Sequence, residues 1–154
     1  RILAKGPLVI SFYRRDWCPY CNLELRALQN ILPDITQHSA TLVAISPEQP
    51  NDSLSSKEKN ELTFPVLSDQ GLHVAKSFKI TFSMPQAVVD LCLDEFNLDL
   101  RKINGVDHFD LPIPATYVVG KNGAVEYAFV DADYTTRAEP VEILHILEEL
   151  SGEH

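Results

Sequence analysis

The chain has 154 residues, of which 45% are hydrophobic and 23% charged, with a formal net charge of −9. This length suits one domain with its own hydrophobic core, and we predict a single domain over residues 1–154. The negative charge argues against nucleic acid or an anionic membrane as partner, because both need a basic footprint. No apolar run is long enough to cross a bilayer. Since Arg1 opens the chain without a methionine, we expect that an N-terminal segment precedes it.

The first predicted element is a buried strand over residues 7–13, a nearly continuous run of apolar and β-branched residues. An amphipathic helix follows, with apolar residues at helical spacing at Leu25, Leu28, Ile31 and Leu32. Pro33 is expected to end this helix. Residues 41–46 then predict a second buried strand.

The middle of the chain is less regular. We predict a polar, solvated helix through residues 53–62 and a short strand over residues 64–67. Another amphipathic helix is marked by Leu72, Ala75 and Phe78. Residues 80–112 form an insert, with a predicted helix around residues 86–96 and then an acidic loop.

Two predicted strands, residues 115–119 and 125–130, flank Lys121-Asn122-Gly123, a strong hairpin signal because Asn-Gly suits turns that need positive φ. The last helix starts at Pro140, where proline loses no hydrogen bond. Its apolar stripe consists of Ile143, Ile146, Leu147 and Leu150. The element order βα-βα-βα-(insert)-ββα predicts an α/β fold with right-handed crossovers.

The chemistry is expected at Cys18-Pro19-Tyr20-Cys21, between the first strand and the first turn of the following helix. Free backbone N–H groups and the positive end of the helix dipole stabilise a thiolate there. The two-residue spacer lets the sulfurs form and release a disulfide. With only three cysteines in the chain, this usage predicts redox chemistry in a reducing, cytoplasmic location.

Other interpretations of the cysteines are weaker. A zinc site needs a second pair of ligands, and a haem site needs histidine where Asn22 stands. We therefore predict no metal and no cofactor. A structural cysteine pair remains an alternative, and Cys92 is expected to be a buried, inert thiol with a resolving role as its alternative. His108 is expected to be an ordinary loop residue.

A C-x-x-C between a strand and a helix resembles the thioredoxin-like fold, a central mixed β-sheet flanked by helices. In such proteins a cis-proline directly before a later strand packs beside the cysteines. Pro114, directly before residues 115–119, stands at that place, so the insert is expected to precede a cis-proline strand. An ordinary trans proline that starts a strand is the alternative.

Almost the whole chain is similar to the peroxiredoxin-like branch of the alkyl hydroperoxide reductase/thiol-specific antioxidant (AhpC/TSA) family. The segments that carry the resemblance are residues 11–13, 17–26, 42–47, 64–69, 114–119 and 128–134. Among them Phe64-Pro65-Val66-Leu67-Ser68-Asp69 is especially typical of peroxiredoxins. The resemblance implies a redox pair, Cys18 and Cys21, supported by Trp17, Pro19, Tyr20, Glu24 and Pro114.

The site departs from the peroxiredoxin pattern Pro-x-x-x-Thr-x-x-Cys. If Cys21 is the peroxidatic residue, Glu24 follows it at the familiar spacing of three, but Cys18 stands at the place of threonine and Arg14 at that of proline. The arginine that supports the peroxide is replaced by Pro114.

If Cys18 is matched instead, Arg15 replaces the threonine. Analogy with thioredoxins makes Cys18 the more exposed thiol, whereas the family pattern favours Cys21 as the peroxidatic one. Both assignments stay open.

The resemblance implies an antioxidant oxidoreductase that reduces a hydroperoxide or a disulfide through a Cys18–Cys21 cycle. A thioredoxin-type or glutathione-type reductant would restore it, and the family allows a homodimer. One alternative is a thiol–disulfide oxidoreductase without significant peroxidase activity. Another is a non-catalytic redox sensor or interaction module.

Overall fold

A computed structural model describes residues 6–13, 19–47, 57, 61–69, 71–83, 86–87, 90, 110–130 and 139–152. The strands are β1 (Leu8–Phe12), β2 (Thr41–Ser46), β3 (Val66–Ser68), β4 (Thr81–Ser83), β5 (Asp110–Pro112), β6 (Ala115–Val119) and β7 (Val125–Val130). The helices whose full bounds the structure gives are α1 (Pro19–Asn30), α2 (Leu32–Gln37), α3 (His73–Ser77) and α4 (Pro140–Gly152).

Five strands form the central sheet in the order β3-β2-β1-β6-β7. Strands β1, β2 and β3 run parallel, while β6 and β7 run antiparallel to their neighbours. This is the predicted mixed sheet of an α/β fold. Its centre is β1, whose last residue Phe12 lies between Ile45 of β2 and Ala115 of β6.

Side chains alternate between the two faces of the sheet, and each face has its own core. On one face Val9 packs with residues of α1 and α4, namely Leu25, Leu28, Ile143 and Leu147. On the other face Ile10 and Phe12 pack with Leu72 and with Ala75 of α3. The sheet is therefore flanked by helices on both sides, as predicted.

Pro33 was predicted to end the first helix, and α1 does end before it, at Asn30. The sequence did not predict that Pro33 then lies in the first turn of a second helix, α2. Inside one long helix, the ring of Pro33 would clash with the carbonyl four residues earlier. Because of this clash, α1 and α2 are separate helices. In a first turn proline loses no hydrogen bond, so α2 can start there.

The predicted strand over residues 64–67 is shifted to Val66–Ser68. Pro65 accepts a hydrogen bond from the Ala44 N–H but has no N–H to donate. Residues 53–62 were predicted to be helical: Lys57 is helical, Glu61 to Leu62 are not, and the rest lie outside the described residues.

The insert is more ordered at its base than the sequence predicts. Strands β4 and β5 pair antiparallel, from Thr81 opposite Pro112 to Ser83 opposite Asp110. This ladder joins the two ends of the insert. Within it Gln86, Ala87 and Asp90 are helical, in agreement with the predicted helix over residues 86–96, whose other residues lie outside the described part.

The expected cis-proline strand is also wrong, because the described residues contain no cis peptide bond and the bond before Pro114 is therefore trans. The Ile113 N–H donates to the Ile80 carbonyl, which continues the β4–β5 ladder up to Pro114. Pro114 is thus an ordinary trans proline directly before β6. An X–Pro bond favours the trans isomer by about 0.5–1 kcal/mol.

The end of the Phe64–Asp69 motif has a clear structural role. Asp69 is buried, and its carboxylate accepts hydrogen bonds from the N–H groups of Val74 (3.0 Å) and Ala75 (2.9 Å) at the start of α3. Its own N–H donates to the Ser46 carbonyl. Asp69 therefore caps α3 and ties it to the end of β2.

Candidate redox site

The candidate site lies at the edge of the sheet where β1 ends. Phe12, the last residue of β1, is opposite Ala115, the first residue of β6. Pro114, directly before β6, is buried at this edge. The chain re-enters the described residues at Pro19, which starts α1. The same edge thus holds the end of β1 and the start of β6.

Helix α1 begins with Pro19, Tyr20 and Cys21, and its first turn contains no acidic residue. The first N–H groups of a helix have no partner within the helix, and the dipole is positive at this end. Both effects favour a thiolate on Cys21, which is the third residue of the helix.

The body of α1 is fixed to the rest of the molecule on two sides. Leu25 and Leu28 are buried against the sheet. Near the other end, the Gln29 amide accepts a hydrogen bond from the Thr63 N–H and donates one to the Thr63 hydroxyl, both 2.9 Å. These contacts fix the middle and the end of α1 against the rest of the molecule.

One hydrogen bond joins α1 to β6 directly beneath the first turn. The Thr116 hydroxyl donates to a carboxylate oxygen of Glu24 over 3.0 Å. Thr116 is only 1% exposed and Glu24 is half-buried. Glu24 follows Cys21 by three positions, so the two residues lie one turn apart on the same side of the helix.

A second hydroxyl lies beside Thr116. Ser11 is opposite Thr116 in the β1–β6 register, is 1% exposed, and has no hydrogen-bond partner among the described residues. We name Ser11, Thr116 and Glu24 the polar layer. On the face of the sheet that α1 covers, the polar layer takes the place of apolar packing. It does so at the end of β1 that is closest to the start of α1.

A tyrosine of β7 continues the polar groups outward. The Tyr127 hydroxyl donates to a carboxylate oxygen of Glu142 in α4 over 3.0 Å. Burial, this hydrogen bond and the charges of Glu142, Glu24 and Glu139 raise the pKa of Tyr127 to about 12. The phenol is therefore a proton donor throughout the neutral range.

The structure places some predicted site residues and not others. Glu24 and Pro114 are described with their side chains, while Pro19, Tyr20 and Cys21 are placed as the first residues of α1. Other residues weighed in the sequence lie outside the described part of the chain: Trp17, Cys18, Cys92 and His108. Glu24 reaches the sheet at Thr116, two residues beyond Pro114.

Sequence reasoning missed Thr116 and Tyr127 as individual residues. Thr116 has a signal, since it is a polar residue inside the apolar strand that runs from Ala115 to Val119. Tyr127 has none that separates it from other tyrosines in strands.

No helix of the described residues is long and apolar enough to span a membrane. In the same part of the chain, no three His, Cys, Asp or Glu side chains are grouped so that they could hold a metal ion.

Comparison with known proteins identifies the family. Residues 2–128 match the AhpC/TSA family. The chain belongs to this family. A relative in Oryza sativa subsp. indica, a putative chloroplastic peroxiredoxin Q, is 27% identical over 123 residues, which are 80% of this chain and 46% of the relative. The peroxiredoxin Q of subsp. japonica matches equally well. The chain thus spans about half the length of these curated relatives.

Solved structures of similar fold are peroxiredoxins as well. The peroxidoxin BcpB of Mycobacterium tuberculosis gives a TM-score of 0.71 at 18% identity, with 96% of this chain and 82% of that chain covered. Peroxiredoxin Q of Xanthomonas campestris gives 0.72 at 17% identity, covering 97% and 82%. At such identities the likeness establishes the fold, and the predicted thioredoxin-like fold is confirmed.

Proposed function

We propose that this AhpC/TSA protein is a peroxiredoxin-like, thiol-dependent antioxidant oxidoreductase. Cys18 and Cys21 form its redox pair, and its substrate is a hydroperoxide. Support comes from the family match over residues 2–128 and from the peroxiredoxin Q relatives. The observation that carries the proposal is the position of Cys21 in the first turn of α1, the helix that follows β1. This turn contains no acidic residue.

The proposed cycle begins when one thiolate attacks an oxygen of the hydroperoxide. The O–O bond breaks, an alcohol or water leaves after protonation, and the cysteine becomes a sulfenic acid. The second thiol then condenses with the sulfenic acid, which releases water and forms the Cys18–Cys21 disulfide. An external dithiol, or two molecules of glutathione, then returns the pair to the reduced state by thiol–disulfide exchange.

The supporting residues of this proposal are those named from the sequence. Pro19 presets the backbone at the first helical position, and Pro114 is buried directly before β6. In the sequence, Trp17 precedes Cys18 and Tyr20 precedes Cys21. Which of Cys18 and Cys21 attacks first is a question for the experiment.

Stopped-flow measurement of hydrogen peroxide consumption by the reduced protein tests the proposal. We expect a second-order rate well above that of a free thiol, because the helix terminus favours the thiolate. Cys18→Ser and Cys21→Ser should each abolish turnover with a reductant. The variant that still reacts once with peroxide retains the attacking cysteine.

Cys92→Ser is the matched control, since it also removes one thiol and should keep full turnover. A rate no better than free thiol, with disulfide exchange preserved, would favour a thiol–disulfide oxidoreductase instead. If neither Cys18→Ser nor Cys21→Ser changed any function, a non-catalytic sensor or interaction module would be favoured.

The reductant and the location form part of the same proposal. Family membership supports a thioredoxin-type reductant, and comparing turnover with thioredoxin and with glutathione as electron donor would identify it. A cytoplasmic location is supported by the cysteine usage, one C-x-x-C and one distant cysteine. A homodimer is supported by the family alone and is tested by the molar mass in solution.

A further inference from the structure

We propose that Glu24, held against the sheet by Thr116, is a positioning residue that restrains ionisation of the Cys21 thiol. Its carboxylate opposes the stabilising effect of the helix terminus, so the two together set how much reactive thiolate is present. The inference deepens the proposed function, on which its importance for the reaction rests.

Glu24 stands three positions after Cys21 in α1. Residues three apart on a helix have Cβ atoms about 5–6 Å from each other. Glu24 is therefore within Coulombic reach of Cys21, and a like charge near a thiol disfavours its ionised form. No other acidic residue occurs in α1.

The Glu24 carboxylate is held in place by a hydrogen bond. An exposed glutamate would turn away from a developing negative charge and be screened by water. Here the hydrogen bond from Thr116, a residue buried in β6, keeps the carboxylate under the helix. Its charge also reaches Tyr127 on β7, where it contributes to the raised pKa of that phenol.

Other charged residues also act on this region. Glu139 and Glu142 are also acidic, and their charges act on Tyr127, as the charge of Glu24 does. In sequence, Arg14 and Arg15 precede the helix and would favour the thiolate. Removal of the Glu24 charge takes a negative potential away from Cys21, which favours the thiolate. We therefore expect the thiol to ionise more easily without this charge.

The test measures the thiol itself. In a Cys18→Ser/Cys92→Ser background Cys21 is the only cysteine, and its ionisation is followed by the ultraviolet absorbance of the thiolate as pH rises, with a cysteine-free protein as blank. Glu24→Gln keeps an oxygen for the Thr116 hydroxyl and removes the charge. We expect the titration midpoint to fall by about one pH unit, the effect of one charge roughly 6 Å away in surroundings between water and protein interior.

Variants of Thr116 separate position from charge. Thr116→Val removes the hydrogen bond that ties the carboxylate to β6, and we expect the midpoint to fall in the same direction by less. Thr116→Ser keeps the hydroxyl and should restore the original midpoint. Glu148→Gln, at an exposed position of α4, removes the same charge from elsewhere and should leave the midpoint unchanged.

A midpoint in Glu24→Gln that is unchanged or higher overturns the proposal, provided that thermal unfolding shows a folded protein. An unchanged midpoint in Thr116→Val overturns the role of Thr116. If Glu24→Gln does not fold, Thr116→Val and Thr116→Ser decide the question alone. No peroxide is used, so a failure of the proposed peroxidase activity would leave this measurement interpretable.

Discussion

The two faces of the central sheet differ most at the end of β1, although the same two strands build both. On the face covered by α3, Phe12 and Tyr117 lie edge to face with ring centres 6.0 Å apart, and Phe78 contacts both rings at 5.2 and 4.8 Å. We name these three residues the aromatic cluster. Burial there raises the pKa of Tyr117.

On the face covered by α1, the neighbouring positions of the same strands are Ser11 and Thr116, with Glu24 above them. Alternation along a strand thus places a polar layer and an aromatic cluster back to back. Both faces have an apolar core, but at the end of β1 one face carries aromatic rings and the other carries polar groups. Substitutions in the cluster should affect folding, whereas those in the polar layer should affect the thiol.

Phe12→Ala should have the largest effect. Phe12 is 1% exposed and contacts two other rings, so its truncation should lower the free energy of unfolding by about 3–5 kcal/mol. Urea denaturation measures the loss. Phe12→Leu, which retains most of the volume, is the control and should cost clearly less. A loss below about 1 kcal/mol in Phe12→Ala would mean that the aromatic face does not hold the fold together.

Asp69→Ala tests the cover of the same face. The carboxylate caps α3 through two backbone N–H groups, and its removal should lower the free energy of unfolding by about 1–2 kcal/mol. Asp69→Asn retains one acceptor and should cost less. Equal losses in the two variants would show that one acceptor oxygen is not enough and that α3 needs both oxygens of the carboxylate.

The sequence predicted those parts of the fold that rest on local signals. The bounds of β6 and β7 follow from two strand-like segments on either side of an Asn-Gly turn, and the start of α4 follows from Pro140. It also placed Cys21 at the start of a helix. These features need no knowledge of distant contacts.

The parts that were missed depend on distant residues. The hydrogen bond from Thr116 to Glu24 joins residues 92 positions apart, and the β4–β5 ladder closes a long insert. Pro114 gives the same sequence signal in either isomer, and the structure has it in the trans form. No local pattern contains this information.

Tyr127→Phe changes the α1 side of the sheet and should have a moderate effect on the free energy of unfolding. Loss of the hydrogen bond to Glu142 should cost about 0.5–1.5 kcal/mol in the free energy of unfolding at neutral pH. The pKa of Tyr127 is raised from 10.0 to about 12, so the folded state favours the neutral phenol. That contribution is fully present below pH 10 and is lost as pH rises through about 12.

The difference between wild type and Tyr127→Phe should therefore shrink as the pH rises across this window. Denaturation just below and about one unit above the ordinary tyrosine pKa of 10.0 measures it. Since other tyrosines and lysines titrate in both proteins, their effects cancel in the difference. A constant difference would show that the phenol is not held neutral by the fold.

Ser11→Ala should have the smallest effect, although Ser11 is the direct neighbour of Phe12. Its hydroxyl is buried without a hydrogen-bond partner among the described residues, so the folded state carries the desolvation cost of the group and gains little in return. We expect the free energy of unfolding to change by less than about 0.5 kcal/mol, or to increase. A loss of more than about 1 kcal/mol would reveal a partner for this hydroxyl and a stabilising role for the polar layer. If the loss is smaller, the adjacent residues Phe12 and Ser11 of β1 show the largest and the smallest of these effects. The reason is that Phe12 supports the core, whereas Ser11 lies beside the proposed thiol chemistry.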